Sequence, residues 1–191
     1  MRFIDLVTRT RSVRRFDGNH GIERATLEAL VDVARLTASA ANRQPLRYRL
    51  VCAAAENARV FPCLRWAGYL EDWNGPSPQE RPTGYVIVLV DRKVGRSAAY
   101  DAGIAVQTMM RGAAERGLGG CIFGSVDRAG LREAVGVPED LRILLVLALG
   151  KPAERVQIEP MPPDGSVRYW RGDTGVHHVP KRALNDIIIR E

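Results

Sequence analysis

Apolar residues in this chain recur at two periods, and the switches between them lay out the elements. Phe3, Ile4 and Val7 fall on one side of a short amphipathic helix over residues 3–8. Leu27, Leu30, Val31 and Ala34 share a face across 23–36, which predicts a longer amphipathic helix. Residues 39–45, Ser-Ala-Ala-Asn-Arg-Gln-Pro, break that period, and Pro45 biases Gln44 towards an extended backbone. From 46 to 52 apolar and basic residues alternate, as in a half-exposed strand. The stretch 56–80 is irregular; it holds Trp66, Trp73 and the loop sequence Asn74-Gly75-Pro76-Ser77-Pro78. Residues 85–90 and 143–149 are almost unbroken aliphatic runs, hence buried strands, and 121–123 reads as a shorter one. The longest helical candidate, 97–116, is apolar round most of its circumference and should be buried on nearly all sides. A short helix over 128–135 ends at Gly136 and Pro138. Beyond Gly150-Lys151-Pro152 the pattern fades. Residues 153–191 carry four prolines and read as a wrapping arm, with Ile187-Ile188-Ile189 as an edge strand seeking a sheet. Helices and strands mix without internal repeats or a dividing linker. The reading is one α+β domain, residues 1–191, with 153–191 as an extended C-terminal arm.

Composition adds the setting. A chain of 191 residues, 46% hydrophobic and 26% charged, can build its own core and is too apolar for disorder. The net charge of +6 is carried by arginine, since Lys93, Lys151 and Lys181 are the only lysines among 28 basic residues. Guanidinium suits forked recognition of phosphate and carboxylate; a codon bias that places Arg where other chains place Lys is the plain alternative. A nucleic-acid module is disfavoured: the arginines are dispersed, aromatics amount to 6%, and no recognition motif occurs. Cys52, Cys63 and Cys121 form no C-x-x-C pair, which fits buried thiols in a reducing compartment. His20, His177 and His178 are wrongly spaced for zinc, and no metal is expected. The start lacks the apolar run of a signal peptide, and no stretch reaches the ~20 apolar residues of a membrane span. The expectation is a cytoplasmic, soluble protein.

Four segments can carry chemistry. Arg11-Ser12-x-Arg14-Arg15 offers two forked cations and a hydroxyl within four residues, a phosphate clamp or else a solvated basic turn. In Ser39-Ala40-Ala41-Asn42-Arg43-Gln44-Pro45, small residues admit a flat ring, and the Asn and Gln amides can match a heterocycle; a helix end with turn residues fits equally. The glycine-rich segment 117–124 fails the dinucleotide fingerprint. Ile122 stands where the last glycine belongs, and the loop leads from helix to strand rather than the reverse. What remains is a helix cap feeding a strand, with Gly124 able to let its backbone approach a ligand. Lys181-Arg182, after Pro180, is by itself a surface pair.

Together these segments resemble the nitroreductase family. Arg11, Ser12, Arg14 and Phe16 match its R-S-x-R-x-F pattern, and Ser39, Asn42, Gln44 and Pro45 match its S-x-x-N-x-Q-P block. Asp101-Ala102-Gly103-Ile104-Ala105 with Gln107 is similar to its central helix, running into Gly117-Leu118-Gly119. The segments 65–76 and 169–182 resemble one small branch of the family. The likeness covers nearly the whole chain in order, with departures at Thr10, where an arginine is frequent, and at Leu46, where a tryptophan often follows Gln-Pro.

The resemblance implies a central mixed sheet flanked by helices, in an intertwined homodimer with flavin mononucleotide (FMN) at the subunit interface. It also implies residue roles. Arg11, Ser12 and Arg14 would hold the phosphate and ribityl side, Lys181 or Arg182 would add a cation, and Ser39, Asn42 and Gln44 would face the ring partly from the partner. The backbone of Gly124 would approach the reactive nitrogen. The implied activity is ping-pong transfer of hydride from NAD(P)H through FMN to an electron-poor acceptor such as a nitroaromatic or quinone. A non-catalytic flavin-binding protein and a reductive dehalogenase are the alternatives. No side chain is expected as an obligatory catalytic acid, because water or the acceptor can supply the proton. Trp66 and Trp73 are candidates for a stacking wall over the ring, or else ordinary packing aromatics.

Overall fold

The computed structural model describes residues 2–91, 93 and 98–190; the first residue of the 97–116 helix candidate, Ser97, and the last of the arm, Glu191, lie outside them. Along the chain run α1 (Phe3–Arg9), α2 (Arg24–Arg35), β1 (Leu46–Val51), α3 (Ala54–Val60), β2 (Gly84–Asp91), α4 (Ala98–Glu115), β3 (Gly119–Phe123), α5 (Arg128–Val135), β4 (Leu141–Gly150), β5 (Val156–Pro160), β6 (Trp170–Arg171) and β7 (His177–Lys181).

The two aliphatic runs become the middle of a four-stranded sheet of order β1-β2-β4-β3. Its strands pair antiparallel, with a register shift between Val88 and Leu89. Parallel pairing enters through a single bridge from Ser12 to Gly120 at the β3 edge, and between β5 and β7 in a second sheet. Both faces of the large sheet are covered. Val86, Val88, Leu147 and Leu149 point to one core, shared with Leu27, Leu30 and Ala34 of α2 and Val106, Met109 and Ala113 of α4. Tyr85, Ile87, Leu89, Val146 and Ala148 point the other way, onto Val60 of α3 and Leu131 and Val135 of α5. The period-two alternation of each strand therefore sends successive side chains into two different cores, and for that reason the runs contain no polar residue. Each fully buried aliphatic side chain of this kind contributes roughly 1.5–3 kcal/mol.

Boundaries of α5 follow its punctuation. Asp127 caps the start, its carboxylate accepting from the Gly130 amide at 3.1 Å, and Gly136 ends the helix in the left-handed region with φ of 64°. Three expectations need correction. The stretch read as irregular opens within a helix, α3, whose single buried residue, Val60, gives no periodic face to detect. Part of the C-terminal arm forms a three-stranded sheet of order β5-β7-β6. The Ile187–Ile189 run is not a strand; it follows a single 3-10 turn at Leu184–Asp186 and its side chains are exposed.

α4 is buried along Ala98, Ala102, Ala105, Val106, Met109, Met110 and Ala113, but not all round. Tyr100 is 77% exposed and Ile104 42%, and Gly103 between them is also exposed, so one apolar stripe of this helix has no cover among the described residues. Among the described residues no helix is long and apolar enough to cross a membrane.

Candidate functional site

The segment after α1 lies along the β3 edge. Ser12 bridges to Gly120, and the Val13 amide donates to the Gly120 carbonyl at 2.9 Å. Val13 and Phe16 are buried, 6% and 0% exposed, which anchors the segment and fixes which side chains turn outward. The Arg11 guanidinium reaches back to the end of α1, donating to the carbonyls of Thr10 at 2.6 Å and Val7 at 3.3 Å. It thereby satisfies acceptors that a helix end leaves open. Burial lowers the Arg11 pKa from its ordinary value.

The C-terminal sheet closes the other side. Residues 177, 179 and 181 of β7 share one face by alternation. Val179 and Lys181 join Arg11, Ser12, Arg14, Thr10, Gln107, Met110, Ile122 and Tyr169 round one cavity of about 320 Å³. Three cations and the hydroxyl-bearing residues Thr10, Ser12 and Tyr169 converge there without a carboxylate among the described lining residues. Arg14 is held at both ends. Its backbone amide donates to Glu154 at 2.5 Å, and its guanidinium lies 3.0 Å from Nε2 of His177 and 4.5 Å from the Tyr169 ring centroid. Glu154, its side chain 2% exposed, also accepts from the Arg15 amide at 3.2 Å and from the Arg171 guanidinium at 2.9 Å.

The second expected wall, residues 39–45, hangs from α4. The Ser39 hydroxyl donates to Asp101 at 2.6 Å and the Ala40 amide to the same carboxylate at 3.1 Å. Asp101 is 5% exposed. Ser39 Oγ in turn accepts from the Gln44 amide at 2.9 Å. Between these anchors Ala41, Asn42 and Gln44 all adopt positive φ, of 50°, 53° and 47°. The extended Gln44 expected before Pro45 does not occur, because the bond to Ser39 turns the backbone at Gln44 against the pre-proline preference. Three non-glycine residues in that region store strain of order 1–3 kcal/mol each, a cost usually met at ligand sites. Gln44 Nε2 donates to Asn42 Oδ1 at 3.2 Å, so the two amides face each other at the surface. Ser39 and Gln44 line a separate hollow of about 170 Å³ with Tyr48, Asp101 and Ala105.

Gly124 stands exposed after β3; among the described residues a Cβ there would meet only Leu145, at 3.9 Å, and its carbonyl accepts from Arg128 at 3.0 Å. Arg182 is exposed and does not line the cavity, whereas its neighbour Lys181 does. Within one chain, then, Arg11, Ser12, Arg14 and Lys181 meet, while Ser39, Asn42, Gln44 and Gly124 lie outside that cavity.

A model of the nitroreductase family matches residues 7–151. This chain is a member of the nitroreductase family. Solved structures agree in fold. An FMN- and NADPH-dependent nitroreductase from Sphigopyxis sp. strain HMH superposes with a TM-score of 0.70 at 17% identity, over 100% of this chain and 99% of the other. A nitroreductase-type protein from Desulfovibrio desulfuricans, crystallised in complex with FMN, gives 0.70 at 20% identity over 98% and 95%. An NADH dehydrogenase or NAD(P)H nitroreductase-type protein from Bacteroides thetaiotaomicron gives 0.65 at 21% identity over 78% and 86%.

In this nitroreductase several site residues carry no local sequence signal. Asp101 lies 62 residues from Ser39, and Glu154 and His177 lie 140 and 163 residues from Arg14. The one available clue was that Asp101 falls on the apolar face of α4 with Ala98, Ala102 and Ala105, whereas Glu115 does not. Trp66 packs against Phe123 and Phe61, with ring centroids 4.6 and 5.6 Å apart, and so belongs to the sheet packing. Trp73 lies beneath Arg171, 4.7 Å from ring centroid to guanidinium. Neither lines the cationic cavity. Burial pushes the Cys121 thiol up to about 11, so it is no nucleophile near neutrality.

Proposed function

We propose that this nitroreductase is an FMN-dependent homodimer that passes reducing equivalents from NAD(P)H to an electron-poor small acceptor. The observation that carries the reading is the convergence of Arg11, Ser12, Arg14 and Lys181 on one cavity. Forked guanidiniums, an ammonium and a hydroxyl are the donors a phosphate monoester takes. Met110 and Ile122 give the same cavity an apolar side for the stem of such a ligand. Its volume of about 320 Å³ is at the low end for small-molecule sites, enough for phosphate and ribityl chain but not for a tricyclic ring as well. The ring then needs a second wall. The Ser39–Gln44 loop of a partner subunit supplies small residues and paired amides for it, and the uncovered Tyr100–Ile104 stripe of α4 supplies an apolar surface on which two copies can meet.

When bound, FMN supplies the hydride chemistry that no side chain of the chain can perform. The residues bind and orient. Arg11, Ser12, Arg14 and Lys181 hold the phosphate end, Asn42 and Gln44 present amide donors and acceptors to the heterocycle edge, and the open space at Gly124 lets backbone approach the ring without a side chain intervening. The full-length structural match to an enzyme described as FMN- and NADPH-dependent supports the choice of donor class.

The test is the purified protein itself. A yellow protein that releases FMN on denaturation and sediments as a dimer is expected, and Arg14→Ala should lose the cofactor. A colourless protein that takes up no FMN, with normal folding, removes the proposal.

A further inference from the structure

The C-terminal sheet contains a buried histidine that the reading above does not use. His177 is 0% exposed, and its Nε2 is 3.0 Å from Arg14 Nη1. A guanidinium only donates, so Nε2 must offer its lone pair and the ring proton must sit on Nδ1. That Nδ1 is buried and has no hydrogen-bond partner among the described residues. An unpaired buried donor costs free energy, and an aliphatic side chain would fill this core position without the cost. What the imidazole offers in return is its acceptor, directed at Arg14.

The surroundings explain why an imidazole rather than a carboxylate holds this guanidinium. Glu154 is close, but its carboxylate is taken up by the backbone amides of Arg14 and Arg15 and by Arg171. Burial first, then the charge of Arg14, lowers the His177 pKa to about 4, with Arg171 and His178 acting in the same sense and Glu154 opposing. The ring is thus neutral at physiological pH. A neutral acceptor fixes Arg14 without neutralising it. Tyr169 completes the clamp, its ring 4.5 Å from the guanidinium and 5.1 Å from the imidazole centroid.

We propose that His177 is a positioning residue that pre-aims the Arg14 guanidinium, with its full charge, at the phosphate of the bound flavin. The role rests on the FMN reading. It predicts an effect on phosphate recognition alone. Immobilising a long side chain before binding removes an entropy cost from the binding step, and a lost charge-assisted contact corresponds to about tenfold in affinity.

The experiment compares FMN with riboflavin, which lacks the phosphate, by fluorescence titration of the flavin-stripped dimer near pH 7.5. Wild type should prefer FMN. His177→Leu should cut the FMN-to-riboflavin preference about tenfold, towards that of Arg14→Ala, with riboflavin affinity unchanged, and His177→Gln, whose amide oxygen can accept from Arg14, should restore most of it. A His177→Leu protein that keeps the wild-type preference, or weakens both flavins equally, overturns the role while leaving the FMN reading in place. Wild type that binds neither flavin overturns both. Nitrogen NMR of the wild-type protein is independent of any variant's folding: a neutral ring protonated at Nδ1 is expected, and protonation at Nε2 overturns the proposal.

Discussion

Two buried carboxylates do most of the local organising, and each can be interrogated singly. Asp101 ties Ser39 and Ala40 to α4, so Asp101→Ala leaves a hydroxyl and an amide without their acceptor and frees a strained loop. The expected loss is about 1–3 kcal/mol in urea unfolding, with a larger proportional loss of FMN affinity. Glu154 faces a partly buried Arg171; their side chains are 2% and 14% exposed. Removing one member of such a pair strands the other, so Glu154→Ala should cost about 3–5 kcal/mol by the same measurement. His177 sets a pH dependence. Its folded pKa of about 4 lies below the unfolded value of 6.5, so the stability from keeping the ring neutral is complete above about pH 6.5. It is lost as pH falls through 4, a total of roughly 3 kcal/mol, and His177→Gln should flatten that portion of the stability profile. None of these partnerships was legible in the sequence, because they join residues 17 to 163 positions apart with no periodic pattern between them.

Elements whose identity rests on one repeating face were legible, and those that rest on distant pairing were not. The face of Leu27, Leu30 and Ala34 is the buried face of α2, and the aliphatic runs are β2 and β4. By contrast β6 has two residues and β5 contains a proline, so neither has a pattern of its own; they exist because β7 lies between them. Two of the arginines find a structural use at this scale. Arg128 donates to the carbonyls of Gly124 and Ile143 at 3.0 and 3.2 Å, and Arg132 to those of Val137 and Leu141 at 2.9 and 2.6 Å and to that of Pro138. These two guanidiniums brace loop ends. Gly136, at φ of 64°, is the matching punctuation mark: Gly136→Ala should lower stability by about 1 kcal/mol, read as a fall in the thermal midpoint.

At the scale of the whole molecule, the exposed stripe of α4 is the surface that asks for a partner. The proposed dimer places Tyr100 and Ile104 against a second copy, so Ile104→Glu should yield a folded monomer by sedimentation and, with the second wall gone, lose FMN together with the dimer. The motifs at 11–16 and 39–45 marked the two halves of the proposed site in the sequence; the expectation that the second half comes partly from a partner copy came from the family resemblance, since spacing along a polypeptide says nothing about which copy supplies which half. The closure of the cationic cavity has one more consequence. It joins residues near the start of the chain to Tyr169, Val179 and Lys181 near its end. During synthesis, the N-terminal arginines therefore emerge long before the residues that complete their pocket. On the proposed role of this cavity, a ribosome stalled short of Lys181 displays a chain whose phosphate pocket is still incomplete, and full cofactor affinity waits on translation to the end of β7.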